Sequence, residues 1–287
     1  MADRARPPDG PDLVASFFTL SGAGFGEPPR HTFEQRCEAA AAAGFHGIGL
    51  HADDLARTAA AGLDVAGMRA VLAGTGLCLV EIEFLGGWAL DVDETAVEAT
   101  TAGIEAVADA LGGRHVSAGE FRPGWLDLDA AAARLAGLAE RLAGRGLRVA
   151  LEAFPWSALP DVDTAVELLR RAGSAHAGLM VDVWHFFNGG GELDAFERLP
   201  GAGVVAVQLN DGSRVHADFL KHARAARRLP GFGELDVVGL VEAVRAAGFT
   251  GPWCVEVNTP VFRDLPVTEA ALNAADAARS VLDAARA

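Results

Sequence analysis

Four oxygen-bearing side chains stand at the ends of consecutive apolar, β-rich runs: Glu152 after LRVAL, Asp182 after AGLMV, Gln208 after GVVAV and Glu256 after WCV. A carboxylate left unpaired in such surroundings would cost several kcal/mol, roughly. A divalent cation removes that cost, because three carboxylates and one amide oxygen form an oxygen-rich set suited to Mn²⁺ or Mg²⁺. Zn²⁺ more often recruits His or Cys. A single acid at a strand end is usually a helix cap or an ion-pair partner. The coincidence of one oxygen ligand on each of four successive strands is what points to joint metal binding.

Other polar groups surround this set. His185 follows Asp182, and Asp211 and Arg214 follow Gln208. His51 follows an earlier apolar run, and Glu83 and Glu120 close two more. The glutamates could bond substrate hydroxyls or serve in ion pairs, while His51 is a candidate pocket histidine. The remaining histidines, His31, His115, His176, His216 and His222, show no clustered spacing and read as surface or satisfied groups. Phe154, Trp156, Trp184, Phe186, Phe187, Phe17 and Trp88 are aromatic neighbours of these positions. Packing under loops is the ordinary use of such rings, and a stacking platform for a substrate ring is the functional alternative. The segment HADFLKHARAARRLPGFGELD carries Arg227 and Arg228 and is expected to form a mobile loop over the site.

These groups need a scaffold that gathers strand ends. Strands are predicted over 13–20, 47–50, 77–84, 115–121, 147–154, 177–184, 203–210 and 253–258. Helices are predicted between them, over 32–43, 64–73, 93–111, 128–144, 161–172, 192–198 and 236–247, with a last one over 268–285. Thr32 and Gln35 form a capping box, and Gly44, Gly74, Gly112, Gly144, Gly173 and Gly248 are read as helix stops. Strands alternating with helices pair in parallel, and eight such units close into a single (β/α)8 barrel whose active site lies at the strands' C-terminal ends. The domain is expected over 13–287, with residues 1–12 as a flexible tail. An open doubly wound sheet is the rival, but SGAGFGEPP after the first strand leads to Pro28-Pro29 rather than into a helix.

Composition narrows the partners. The chain has 287 residues, 51% of them hydrophobic, and a net charge of −15. That charge argues against nucleic acid, which needs a basic footprint, and against an anionic membrane surface. It also disfavours an endonuclease IV-like role, which further demands more histidine ligands. Three widely spaced cysteines offer no disulfide framework and suit a reducing, cytoplasmic setting. No run approaches the length of a membrane span, and the N-terminus lacks a secretory apolar region.

The chain resembles the xylose-isomerase-like TIM barrel superfamily, in its sugar phosphate isomerase/epimerase branch. The most specific stretches are Leu151-Glu152, Asp182-Val183-Trp184-His185, Val207-Gln208-Leu209-Asn210-Asp211, Pro230-Gly231-Phe232-Gly233-Glu234-Leu235-Asp236 and Val255-Glu256-Val257. The branch includes ketose 3-epimerases, hydroxypyruvate isomerases, inosose dehydratases and 3-dehydroshikimate dehydratases. The resemblance implies that Glu152, Asp182, Gln208 and Glu256 bind the metal, with Mn²⁺ favoured over Mg²⁺, Co²⁺ or Zn²⁺. It implies further that Glu152 and Glu256 are the acid/base pair and that His185 and Arg214 contact substrate. His51, Glu83, Trp184 and Trp156 complete the expected substrate contacts. Gln208 stands where the epimerases most often carry His, and Ala153-Phe154-Pro155-Trp156 stands where many members have Asn-His after the glutamate.

The parts imply proton transfer beside a carbonyl through a metal-bound ene-diolate. The leading expectation is a metal-dependent isomerase or epimerase of a keto sugar or related hydroxy-carbonyl compound. A dehydratase is the alternative, and a non-catalytic barrel subunit comes third. The expected partner is a small molecule, with a homo-oligomer suggested by family analogy. The "phosphate" of the branch name finds no Gly-rich cradle in this chain.

Overall fold

The fold was analysed in a computed structural model, which describes residues 12–90, 92–199 and 203–286. Residues 1–11 of the expected tail lie outside the described residues. The Asp12 carbonyl already belongs to the barrel, since it accepts from Trp253 N at 2.8 Å.

Eight parallel strands form a closed barrel in sequence order: β1 (Leu13–Ala15), β2 (Gly47–His51), β3 (Cys78–Leu85), β4 (His115–Gly119), β5 (Arg148–Glu152), β6 (Ala177–Asp182), β7 (Val204–Leu209) and β8 (Trp253–Val255). Pairing of β1 with β8 closes the ring. Helices α1 (Phe17–Ser21) and α2 (Phe33–Ala42) follow β1, and α3 (Asp54–Ala60) and α4 (Val65–Thr75) follow β2. Single helices follow the next three strands: α5 (Glu94–Leu111), α6 (Leu128–Ala143) and α7 (Val162–Ala172). Beyond β6 come α8 (Val183–Asn188) and a 3₁₀ turn (Leu193–Arg198), then α9 (Phe219–Ala225) and α10 (Val237–Ala246) beyond β7. After β8 come α11 (Pro260–Arg263) and α12 (Val267–Ala284).

Two expected strands are cut short by caps. The run 13–20 ends at Ala15 because the Ser16 side chain accepts from Thr19 N and starts α1. The run 177–184 ends at Asp182, whose carboxylate accepts from His185 N and starts α8. Such N-caps satisfy donors that a helix start would leave orphaned. The Thr32–Gln35 capping box is formed as expected. Helix α4 instead runs through Gly74 and stops at Gly76, which adopts the left-handed conformation with φ 77°.

Two of the three register shifts among the described strands bear on the residues that enter the barrel near the site. Between β2 and β3 the pairing steps from Ile48–Leu79 to Gly49–Glu81, and between β6 and β7 from Leu179–Val204 to Met180–Ala206. The residues passed over, Val80 and Val205, mark β-bulges, which re-aim the residues beyond them. Val80 packs with Val14 and Cys254, while Val205 packs with Ala150, Met180 and Ala206; both small clusters are separate from the large core under the helices.

Candidate active site

The four expected ligands are gathered at one end of the barrel. Glu152 and Asp182 are the last residues of β5 and β6, Gln208 lies in β7 paired in register with Asp182, and Glu256 follows β8 directly. All four are buried. Glu152, Gln208 and Glu256 line a cavity of about 310 Å³ at the barrel mouth, together with Glu83, His51, His185 and Arg227. Asp182 sits just beneath, holding His185 N at 2.8 Å and Asn210 Nδ2 at 2.7 Å.

Arg227 is the buried cation of this site, whereas Arg224 on the same cavity is exposed. Its Nη1 donates to Asp182 Oδ2 at 2.6 Å and to Glu256 Oε2 at 3.0 Å, and its Nη2 lies 2.6 Å from His185 Nε2. A guanidinium can only donate, so Nε2 of His185 must accept and the ring is neutral with its proton on Nδ1. Burial has the same effect, lowering the His185 pKa to about 3. Asp211 explains how Arg227 arrives here. Asp211 and Arg228 pair through their backbones at 2.9 Å in both directions. The Asp211 carboxylate accepts from the backbone N–H groups of Gly212, Gly231, Gly233 and Leu235, clamping the PGFGEL turn beyond.

The four acidic groups differ in how readily they ionise. Burial raises Glu152 well above the ordinary carboxylate value, reinforced by Asp182 and Glu256. Burial likewise lifts Glu256 to about 8, against the pull of Arg227. Glu83 is raised by burial and by the neighbouring charge of Glu81. Burial also pushes Asp182 up, but Arg227 and His185 outweigh it and hold the carboxyl below its usual range. Gln208 Oε1 and Glu83 Oε1 are buried with no hydrogen-bond partner. Orphaned oxygens beside carboxyls that resist ionisation are what a hard divalent cation would satisfy. The donor atoms of Glu152, Asp182 and His185 lie within 4.8 Å of one another, so the imidazole stands at the edge of the same set.

Several expected contacts are brought in. His51 lines the cavity and is held by Asp53 Oδ1 at 2.8 Å. Glu83, Trp156 and His185 line it too. Phe121, Phe154 and Trp156 form a stacked series, with centroids 4.6 Å apart for the first pair and 5.3 Å for the second, and His185 meets Trp156 edge-on.

Two expectations fail. Arg214 is exposed and lies over the Phe187 ring at 5.2 Å, outside the cavity, because the chain after Asp211 turns outward. Trp184 also misses the cavity. It is fully buried in the first turn of α8, where its backbone N–H donates to Asn210 Oδ1 and its ring backs His185 and Arg227. Trp88, Phe186 and Phe187 are buried packing residues rather than mouth residues. Glu120 takes the ion-pair alternative, with Arg122 Nε at 2.9 Å. The segment expected as a mobile loop does cover the mouth, but as α9 followed by the clamped turn.

The sequence reading gave no role to Arg227, Asn210, Phe84 or Phe121. Arg227 had one signal: it lies three residues before Pro230 of the PGFGELD turn, which carried part of the resemblance.

Comparisons with known proteins agree with this geometry. The profile of the xylose isomerase-like TIM barrel family matches residues 37–284. The chain belongs to that family. A 3-dehydroshikimate dehydratase of Pseudomonas aeruginosa is 32% identical over 272 residues, covering 88% of this chain but only 39% of that protein's length. An inosose isomerase of Halalkalibacterium halodurans is 25% identical over 133 residues, 46% of each chain. The crystal structure of the IOLI protein with a zinc atom shares the fold, with a TM-score of 0.84 at 17% identity over 95% of this chain and 98% of that one. This family's members include dehydratases and isomerases, so an enzyme is supported at that level. Among the described residues no helix is long and apolar enough to cross a membrane.

Proposed function

We propose that the chain is a divalent-metal-dependent dehydratase of a carboxylate-bearing cyclic hydroxy ketone of the 3-dehydroshikimate kind. The observation that carries this reading is the Arg227 guanidinium at the cavity floor, bonded to Asp182, Glu256 and His185. Beyond its bonds to Asp182, Glu256 and His185, the guanidinium has a buried Nε with no hydrogen-bond partner, and a substrate carboxylate, unlike a neutral keto sugar, pairs with a guanidinium fork in two parallel bonds. The stacked Phe121, Phe154 and Trp156 rings supply an apolar wall for a flat six-membered ring. The similarity to the Pseudomonas aeruginosa dehydratase supports the same branch.

Glu152, Asp182, Gln208 and Glu256 would hold the cation, with Mn²⁺ favoured. Bound there, a divalent cation supplies Lewis-acid polarisation of a carbonyl and a neighbouring hydroxyl. Glu256 takes the proton from the carbon next to the carbonyl, and Glu152 delivers one to the β-hydroxyl as its C–O bond breaks. The balance is one C–H and one C–O bond broken, one C=C bond formed and one water released. Glu83, on the cavity wall, hydrogen-bonds a substrate hydroxyl. Arg227, oriented by neutral His185, orients the substrate carboxylate and opposes the charge that develops as the proton leaves. Residues 13–287 form the catalytic barrel domain, acting on a small molecule in the cytoplasm.

A second reading keeps the same glutamate pair but retains the hydroxyl, giving isomerisation or epimerisation, and the similarity to inosose isomerase favours it. One experiment separates them. Purified protein with Mn²⁺ is given 3-dehydroshikimate, and near-ultraviolet absorbance is followed as loss of water turns the ring into a dihydroxybenzoate. Parallel samples hold keto sugars in D₂O. Absorbance growth that stops with chelator and is absent from E256Q supports dehydration. Deuterium incorporation into a keto sugar with no absorbance change refutes it.

A further inference from the structure

Beneath the mouth, a fully buried glutamate makes no contact with the substrate cavity yet holds one of the proposed ligands. Glu81 on β3 reaches across the barrel lumen to Gln208 on β7, whose Nε2 lies 3.3 Å from each Glu81 carboxylate oxygen. It also meets His115 Nε2 at 3.2 Å, Cys254 Sγ at 3.6 Å and the side chain of Glu83. We propose that Glu81 is a positioning residue that fixes which end of the Gln208 amide faces the metal site. This rests on the reading of Gln208 as a metal ligand.

The argument is one of donors and acceptors. An amide has a donating end and an accepting end of nearly identical shape, and only its oxygen binds a hard cation well. A lone glutamine ligand could therefore turn its NH₂ group toward the site. An ionised carboxylate offers only acceptor atoms, so the amide meets Glu81 with Nε2 and leaves Oε1 facing the other way, buried and without a hydrogen-bond partner. The reverse orientation would bring three oxygens together with no hydrogen between them. His115, beside Glu81 on the neighbouring strand, holds the carboxylate in place. The β3 bulge at Val80 supplies the means, because Glu81 and Glu83 beyond it both end buried, with Glu81 on Gln208 and Glu83 on the cavity.

The test is a double-mutant cycle on Mn²⁺ affinity, measured by calorimetry, with circular dichroism and thermal unfolding as controls on folding. E81Q, which can donate as well as accept, is expected to weaken Mn²⁺ binding about 10- to 100-fold, the usual loss for a partner that orients a ligand. E81D, which keeps the carboxylate, is expected to recover part of it. In a Q208A background, where affinity is already reduced, E81Q is expected to add little. A loss from E81Q that adds in full to that of Q208A overturns the proposal, as does unchanged affinity in E81Q when Q208A is impaired. Wild-type protein that binds no Mn²⁺ overturns the metal reading itself.

A second measurement needs neither metal nor a tolerant variant. The chain has two glutamines, Gln35 and Gln208. With ¹⁵N-glutamine labelling, the Gln208 side-chain protons are expected to exchange with solvent at least tenfold more slowly than those of exposed Gln35, roughly, because they are buried against Glu81. Equal exchange rates overturn the proposed orientation.

Discussion

Removing the guanidinium of Arg227 tests the site through stability as well as through catalysis. Arg227→Met keeps an unbranched chain of similar length while deleting the bonds to Asp182, Glu256 and His185. Glu256, raised to about 8, is largely protonated at pH 7 and tolerates the loss. Asp182 does not, since its carboxyl is held low by that cation and is buried. It must then stay charged without its partner or take up a proton. Protonating an aspartate at pH 7 instead of at its ordinary value costs about 4 kcal/mol, and removing one member of a buried ion pair typically costs about 3–5 kcal/mol. The two routes agree, so metal-free Arg227→Met is expected to lose roughly 4 kcal/mol. Urea unfolding at pH 7 in the presence of chelator measures it. Mn²⁺ at a hundred times its Kd should return about 2.7 kcal/mol, because the cation replaces the missing charge. The Asp182→Asn, Arg227→Met double variant should be less damaged than the single one, since no stranded charge remains. A metal-free Arg227→Met protein as stable as wild type would refute the reasoning, and with it the view of Arg227 as counter-ion to Asp182.

Two further outcomes follow from the same geometry. Glu256, lifted to about 8 by burial, holds a proton at pH 7 in the metal-free site, so Mn²⁺ must displace it and the metal's affinity should climb with pH. With one proton released the gain approaches tenfold per pH unit, roughly, below pH 8. Calorimetry in buffers of different ionisation enthalpy reads the release, and binding heats independent of buffer would contradict the assignment. Arg214→Ala should leave kcat and KM within about twofold of wild type, because an exposed side chain over Phe187 that misses the cavity has no transition-state contact to lose. A hundredfold fall in kcat/KM would restore Arg214 to the site.

How far the sequence determines this protein depends on the range of the interactions involved. Alternating strands and helices are read from local periodicity and caps, so the (β/α)8 barrel was legible, and so was the gathering of Glu152, Asp182, Gln208 and Glu256, because barrel closure brings successive strand ends together whatever the loops do. The errors of extent at Ala15 and Asp182 came from side-chain caps at Ser16 and Asp182, which compete locally with strand continuation. The members of the site that lie on no strand were decided by tertiary structure. Arg214 stands close to Gln208 in sequence yet points away, while Arg227, much farther along, enters the cavity because Asp211 pairs with Arg228 and clamps the turn beyond. The Glu81–Gln208 contact joins β3 to β7 across the lumen, and which residues face that lumen depends on bulges at Val80 and Val205 that alter the strand alternation. Neither a through-space bond between distant strands nor a one-residue shift in register leaves a mark in the local pattern. The clustering of the four strand-end oxygens proposed as ligands was therefore legible from the chain alone, while the guanidinium beside them and the carboxylate beneath them required the folded barrel.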